Sequence, residues 1–288
     1  MGSVVNVTVP SISELRRGIL AVSVLHDVDV EVAALGVVLP GVPHVWVPWG
    51  ECRRALAGHD PETTGRRRLA EWLKARRWAA DLTPERLLQR LRPVGLPVGH
   101  LLHPGHDWVR ERVLGDALDL GLGGVDLDPT NPDRVVLLPP SVLDQAGLDQ
   151  DQIWTRVRTM LEDLGHLAAE RVRRDAKGQL RPLGDCDVVT LMGSRRLRTA
   201  LSQQAGGMAA AVVPMRRRGW TRLAMIDPAF GPAAAAATDA ADRGFPRPLL
   251  VTPDEITLVA PGGRPHHLAL RDPATGGDEY FVRDVLYR

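Results

Sequence analysis

The longest regular pattern in the sequence is an amphipathic helical one that runs from Asp149 to Arg174. Gly165 lies within it and is expected to weaken the helix near its middle. A helix with one long apolar face must bury that face, so the chain is predicted to fold around a core to which this helix contributes. The apolar residues recur every three or four positions, as on one face of an α-helix: Ile153, Val157, Met160, Leu161, Leu164, Leu167 and Ala168.

The sequence before this helix is mostly of helical type. A β-rich run at Val4–Val9 is followed by a helical pattern that Ser11 or Ser13 would cap. Helical spacing extends from Glu51 to Arg92, and a further helix, closed by glycines, is predicted over Asp107–Gly123.

After residue 184, short β-rich runs alternate with helical ones, and a Pro253-Asp254 turn separates two of the predicted strands. We therefore predict a mixed α+β fold, with a helix-rich N-terminal half and a C-terminal half that carries a mixed or antiparallel sheet. The corresponding regions are 1–140 and 141–288, and they could also form one continuous domain.

The charges of the chain are almost balanced, with 36 basic and 35 acidic side chains and a formal net charge of +1. Bulk charge therefore gives no argument for nucleic acid or a membrane surface, and such an argument must rest on local patches. Only Lys74 and Lys177 are lysines. This preference for arginine is typical of a GC-rich genome such as that of an actinobacterium, so a single arginine carries less meaning than usual.

Cysteine content and hydropathy indicate a cytoplasmic protein. Cys52 and Cys186 are too few and too far apart for a disulfide framework or a paired metal site. The N-terminus lacks the pattern of a secretory signal, and no run of 18 apolar residues occurs. We expect a soluble chain without a membrane partner. The sequence leaves its oligomeric state open.

The stretch from Gly184 to Arg198 contains two aspartates around a cysteine. If Asp185–Thr190 is a strand, Asp185 and Asp187 point to the same face because side chains two apart do so. Paired carboxylates at the mouth of a strand suit Mg²⁺ or Mn²⁺, which prefer oxygen ligands and bridge to phosphates. Asp227 is a candidate third acid. The alternative is that these aspartates only border a turn.

The same stretch continues into a predicted helix that begins near Ser194. Its first N–H groups would face an anion, and Arg195 would neutralise phosphate oxygens. Ser194 and Arg195 are therefore candidate substrate-binding residues. The alternative is that Ser194 is a helix cap and that the arginines lie in solvent.

A second candidate site is the predicted loop Val213–Trp220, which holds three consecutive arginines. Arg216, Arg217 and Arg218 are candidates to bind phosphate, and Trp220 to stack on a base or a sugar. The alternative is a basic surface loop with no ligand.

His100, His103 and His106 form a weaker alternative metal site, because histidines three residues apart can share one side of a helical turn. Pro104-Gly105 breaks a helix at this point, and Asp107 is better placed as a helix cap than as a fourth ligand.

Two functional hypotheses follow. The first is a divalent-metal-assisted enzyme that acts on a phosphorylated or nucleotide-like substrate, with Asp185, Asp187 and Asp227 in the catalytic centre. The second is a non-enzymatic module that binds nucleic acid or a protein through arginine-rich surfaces, namely Arg216–Arg218 and the predicted helix Gly65–Trp78.

Overall fold

The structure is a computed structural model that describes residues 10–57, 64–105, 107–175, 178–223, 230–259, 270–271 and 279–280. The helices are α1 (Ile12–His26), α2 (Trp49–Leu56), α3 (Thr64–Ala80), α4 (Pro84–Arg90), α5 (Pro140–Gln145), α6 (Gln150–Arg174), α7 (Val188–Leu191), α8 (Arg195–Gln204) and α9 (Phe230–Ala237). The strand predicted at Val4–Val9 lies outside the described residues.

The strands are short, and they form several sheets. They are β1 (Glu31–Val32), β2 (Gly36–Leu39), β3 (Val45–Pro48), β4 (Leu91–Pro97), β5 (Arg110–Val113), β6 (Leu118–Gly124), β7 (Val136–Leu137), β8 (Gln179–Leu180), β9 (Ala209–Met215), β10 (Arg218–Trp220), β11 (Leu249–Val251), β12 (Ile256–Leu258), β13 (Leu270–Arg271) and β14 (Glu279–Tyr280). With helices and antiparallel sheets together, the fold is of the mixed α+β class, as the sequence predicted.

The chain divides into two compact units that alternate along the sequence. The first unit is Met1–Arg92, Pro104–Val109 and Gly121–Trp154, and the second is Pro93–His103, Arg110–Leu120 and Thr155–Arg288. The division at residue 140 remains a prediction. Among the helices of the described residues, none is both long and apolar enough to cross a bilayer.

The first unit has a core formed by α1, α2, α3 and the strands β2 and β3 of the antiparallel sheet β1-β2-β3. Of the two candidate caps, Ser11 and Ser13, the structure uses Ser11: its hydroxyl accepts from the Glu14 N–H at 3.2 Å, and the Glu14 carboxylate accepts from the Ser11 N–H at 2.7 Å. In β3, Val45 and Val47 are buried while Trp46 between them is exposed, which is the alternation of a strand with one covered face.

The prediction of a helix over Asp107–Gly123 is wrong, because this segment forms the strands β5 and β6. Leu114, Gly115 and Asp116 between the strands have φ of 62, 62 and 64°, a conformation that a right-handed helix excludes. Every residue of β6 is buried, and a fully buried strand lacks the alternation that distinguishes it from a helix in sequence. These strands belong to a sheet of order β4-β6-β5, with β7 paired to β6.

The second unit contains a five-stranded sheet of order β12-β11-β9-β10-β8, in which all neighbours are antiparallel. The sequence left open whether this sheet was mixed or antiparallel. Its core includes residues from the sheet together with α6, α7 and α8, for example Val172, Leu191, Leu197 and Val213. The long helix predicted from Asp149 is confirmed as α6.

Candidate functional site

Asp185 and Asp187 do not lie on a strand, so the prediction of a strand over Asp185–Thr190 is wrong. Asp187 is the N-cap of α7, and its Oδ1 accepts from the Thr190 N–H at 2.7 Å. An aspartate that bonds to the N–H three residues later is a typical helix start, and here it overrides the β-propensity of Val188 and Val189. The geometric premise of a carboxylate pair on one face of a strand is therefore lost.

Metal binding by Asp185 and Asp187 remains a prediction without support from the geometry. Within the part of the chain that the structure describes, no group of three or more His, Cys, Asp or Glu side chains could hold a metal ion. Asp227 and His106, two further predicted site residues, lie outside the described residues.

The N-terminus of α8 already has an anion, which the chain itself supplies. The Glu162 carboxylate of α6 accepts from the N–H groups of Arg195 and Arg196, both at 2.8 Å, and from the Ser194 hydroxyl at 2.9 Å. The Ser194 oxygen in turn accepts from the Leu197 N–H at 3.3 Å. Ser194 is thus a buried helix cap, which is the alternative that the sequence left open.

Arg195 and Arg196 both have acidic partners at the surface. Arg195 lies 2.9 Å from Asp254, and Arg196 lies 3.1 Å from Asp163, with all four side chains more than half exposed. Such pairs contribute little to stability, but they offset the charge that a phosphate would meet.

His100 and His103 make separate contacts rather than sharing a site. His100 Nδ1 accepts from the Leu102 N–H at 3.1 Å, so we assign the ring proton to Nε2, which donates to the Arg243 carbonyl at 3.0 Å. Burial, and then the nearby Arg216 charge, lower the pKa of His100. With both ring nitrogens engaged, a neutral His100 is not placed to bind a metal.

His103 belongs to a charge network around the Asp119 carboxylate. His103 Nε2 lies 2.8 Å from Asp119 Oδ2, and Arg110 and Arg112 of β5 approach Oδ1 at 2.6 and 3.2 Å. Asp119 is fully buried in β6. Burial alone would raise its pKa, but the hydrogen bond from Arg112 and the charges of Arg110 and His103 outweigh that effect and lower it. These contacts make Asp119 the centre of a compact ion cluster.

The helix Gly65–Trp78 of the binding hypothesis is confirmed as part of α3, but its basic residues are not all at the surface. Arg68 and Arg76 are buried. Arg76 pairs with Glu51 and lies over the Trp72 ring, 5.5 Å from its centroid. Burial lowers the pKa of Arg68 to about 10. The helix therefore offers fewer cations to a partner than its sequence indicates.

Of the three consecutive arginines, Arg216 and Arg217 form the turn of an antiparallel hairpin between β9 and β10, and Arg218 is the first residue of β10. Arg216 points inward and lies 2.6 Å from Asp187, whereas Arg217 and Arg218 are exposed. Trp220 is buried, with 8% of its surface exposed, so the ring does not present an open face to a base. The hairpin separates the three adjacent arginines into one structural and two surface cations.

Strand pairing brings further cations to the hairpin. Gly219 pairs with Leu180 of β8, so Arg218 and Arg181 directly adjoin this pair on the two strands. Arg171 of α6 donates to the Pro182 carbonyl at 3.2 Å, and it lines the same small cavity as Arg181. We refer to the set Arg171, Arg181, Arg217 and Arg218 as the arginine row.

All four members of the arginine row are exposed, and none forms an ion pair with a carboxylate of the described residues. Among the described residues, the Arg181 guanidinium bonds to the neutral Gln179 side chain, at 2.5 Å and 2.9 Å. Sequence analysis missed Arg171 and Arg181. No local signal marks them, since only the pairing of β8 with β10 brings residues that are far apart in sequence to one surface.

Comparisons with protein-family models, with curated proteins and with solved structures find no match to this chain. Functional inference therefore depends on the geometry alone.

Proposed function

We propose that the second unit binds the phosphate backbone of nucleic acid through the arginine row. The proposal is carried by four exposed arginines on or beside the paired strands β8 and β10, none of which forms an ion pair with a carboxylate of the described residues. Guanidinium groups pair with phosphate oxygens through parallel N–H donors. A local patch of this kind attracts a polyanion even when the net charge of the chain is near zero.

The position of the row favours a polymer over a small phosphorylated molecule. Small ligands are usually bound in concave, largely apolar sites. Although Arg171 and Arg181 border a small cavity, Arg217 and Arg218 lie at the exposed turn of a hairpin, and Arg181 directly follows the neighbouring strand β8. Neighbouring strands are about 4.8 Å apart, so the row spreads positive charge over a length that successive phosphates could contact.

Recognition by this surface is expected to be independent of base sequence. Contacts to phosphates position a nucleic acid but do not specify it. The tryptophan next to the hairpin turn is buried, so it supplies no stacking platform of the type that binds single-stranded bases. We therefore infer that duplexes of different sequence bind with similar affinity.

The test is fluorescence anisotropy with a labelled mixed-sequence DNA duplex, for the wild type and for Arg217→Gln/Arg218→Gln. The double variant is expected to bind about tenfold more weakly. Its slope of log K against log salt should be smaller by up to about 1.8, since each lost phosphate contact changes the slope by about 0.9. Equal affinity of the two proteins for the duplex would overturn the proposal.

The matched control is Arg195→Gln/Arg196→Gln, which removes an adjacent pair of exposed arginines that Asp254 and Asp163 already neutralise. This variant should keep most of the wild-type affinity. A nucleoside triphosphate serves as a competitor. If it displaces the duplex at micromolar concentration, the site is one for a small phosphorylated ligand, and the backbone proposal is wrong.

A further inference from the structure

Asp187 makes two different bonds with its two carboxylate oxygens. Oδ1 accepts from the Thr190 N–H of α7 at 2.7 Å, and Oδ2 accepts from the Arg216 guanidinium at 2.6 Å. The side chains of Asp187 and Arg216 are only 13% and 18% exposed, so water screens their attraction less than that of a surface pair. One side chain therefore joins the start of a helix to the turn of the arginine hairpin.

The backbone of Arg216 is fixed on both sides as well. Its carbonyl accepts from the N–H groups of Val188 and Val189, at 2.8 and 3.3 Å, and its own N–H donates to the Asp242 carbonyl at 2.7 Å. The first N–H groups of α7 are thus bonded by Arg216 and Asp187. This arrangement holds the hairpin turn at the residue that directly precedes Arg217 and Arg218.

We propose that Asp187 is a positioning residue that holds the β9–β10 turn so that Arg217 and Arg218 project toward a phosphate backbone. This inference rests on the proposed function for its binding consequence. It gives Asp187 a role different from that of a metal ligand, because both of its oxygens are used within the protein.

The decisive variant is Asp187→Asn. Asparagine caps helices as well as aspartate does, so the bond to Thr190 is kept while the ion pair with Arg216 is lost. Loss of one negative charge would by itself tighten the binding of a polyanion. Loss of positioning has the opposite effect. We expect the Kd for the DNA duplex to rise about threefold or more, with a smaller salt slope.

The matched control is Asp185→Asn, which makes the same change of charge two residues away on an exposed side chain. Its affinity should equal that of the wild type or slightly exceed it. If Asp187→Asn also binds more tightly, with a salt slope larger by about 0.9, Arg216 has joined the row and the positioning role is wrong.

A second measurement does not depend on nucleic acid. Trypsin cleaves after arginine, so limited proteolysis followed by mass spectrometry reports how often the turn opens at Arg216 and Arg217. Cleavage there should be several-fold faster in Asp187→Asn than in the wild type or in Asp185→Asn. Arg216→Gln removes the same ion pair from the other side, and it should accelerate cleavage after Arg217 in the same way.

The binding assay and the proteolysis assay test the two proposals separately. If the wild type fails to bind the duplex while both ion-pair variants are cleaved faster, the proposed function falls and Asp187 still holds the turn. If cleavage at the turn is unchanged in both variants, the positioning role is overturned, whatever the wild type binds. Thermal melting of each variant shows whether a faster cleavage reflects the turn or the stability of the whole unit.

Discussion

The carboxylate of Glu162 and the hydroxyl of Ser194 lie 2.9 Å apart and together complete the N-terminus of α8. Glu162 comes from the middle of α6, 32 residues earlier in the chain. The two side chains accept from the N–H groups of the first three helical residues, including Arg195. This long-range cap links two helices whose apolar residues contribute to the same core.

Glu162→Ala is expected to destabilise the protein by about 1–2 kcal/mol, because the Ser194 hydroxyl loses its acceptor in a partly buried place and the Arg195 and Arg196 N–H groups lose theirs at the exposed helix start. Urea denaturation followed by circular dichroism measures the change. The control is Asp163→Ala, which removes an exposed ion pair with Arg196 and should cost less than about 0.5 kcal/mol. Similar losses for the two variants would contradict the capping role.

Gly165 gives a second test of the same helix contact. A glycine in a helix usually costs about 1 kcal/mol relative to alanine, and the sequence alone marks this position as a weak point. In the structure, a Cβ at Gly165 would collide with the Ser194 side chain, which Glu162 holds in place. Gly165→Ala is therefore expected to destabilise the protein, by about 1–3 kcal/mol.

The matched control is Gly18→Ala in α1, where a Cβ would meet no atom within 4 Å. This change should stabilise the protein by up to about 1 kcal/mol. The two substitutions are chemically identical and both lie within helices. If they change the free energy of unfolding in opposite directions, the difference reports the helix–helix contact at Gly165. A gain of stability from Gly165→Ala would show that α6 and α8 are not in close contact at this position.

The sequence predicts elements well where a local signal is strong. The cap at Ser11 and the helix α6 are both present. It fails where tertiary contacts decide between a helix and a strand. The fully buried strand β6 has no alternation, and the two valines after Asp187 have a strong β-propensity but lie at the start of a helix.

The candidate site could be predicted only in part, for a related reason. Sequence marks Arg217 and Arg218 because they are adjacent. It cannot show that Arg216 turns inward to Asp187, since that depends on how the hairpin packs on α7. It also cannot bring Arg181 beside Arg218, because strand register is set by pairing between distant segments.

Both cysteine thiols are expected to be unreactive in the folded protein. Cys52 and Cys186 are buried, and burial, followed by the Glu51 charge, raises the pKa of Cys52 to about 12. Because this pKa is far above 8, very little of the Cys52 thiolate, which is the reactive form, is present at pH 8. A disulfide reagent such as DTNB should react slowly with the native chain and with two thiols after unfolding in guanidinium. Rapid labelling of a native thiol would contradict the burial of that cysteine.

The Asp119 carboxyl should make the free energy of unfolding depend on pH in the acidic range. Burial alone would raise its pKa, but the Arg112 hydrogen bond and the Arg110 and His103 charges lower it below the usual value of 3.8. A carboxyl with a lowered folded pKa stabilises the protein above its unfolded pKa, and this contribution is lost as the pH falls through the folded value. Stability measured by urea denaturation should therefore decline below about pH 4.

Asp119→Asn isolates this contribution. At pH 7 the free energy of unfolding of the variant should be about 3 kcal/mol lower than that of the wild type, because the substitution leaves Arg110 and Arg112 beside a neutral, buried side chain. The loss should shrink as the pH falls below about 4, since protonation then removes the same charge from the wild type. The control is Asp163→Asn, whose partner Arg196 is exposed and which should leave the pH profile unchanged. A difference between Asp119→Asn and the wild type that stays constant from pH 7 to pH 3 would show that the Asp119 charge is not what stabilises the cluster.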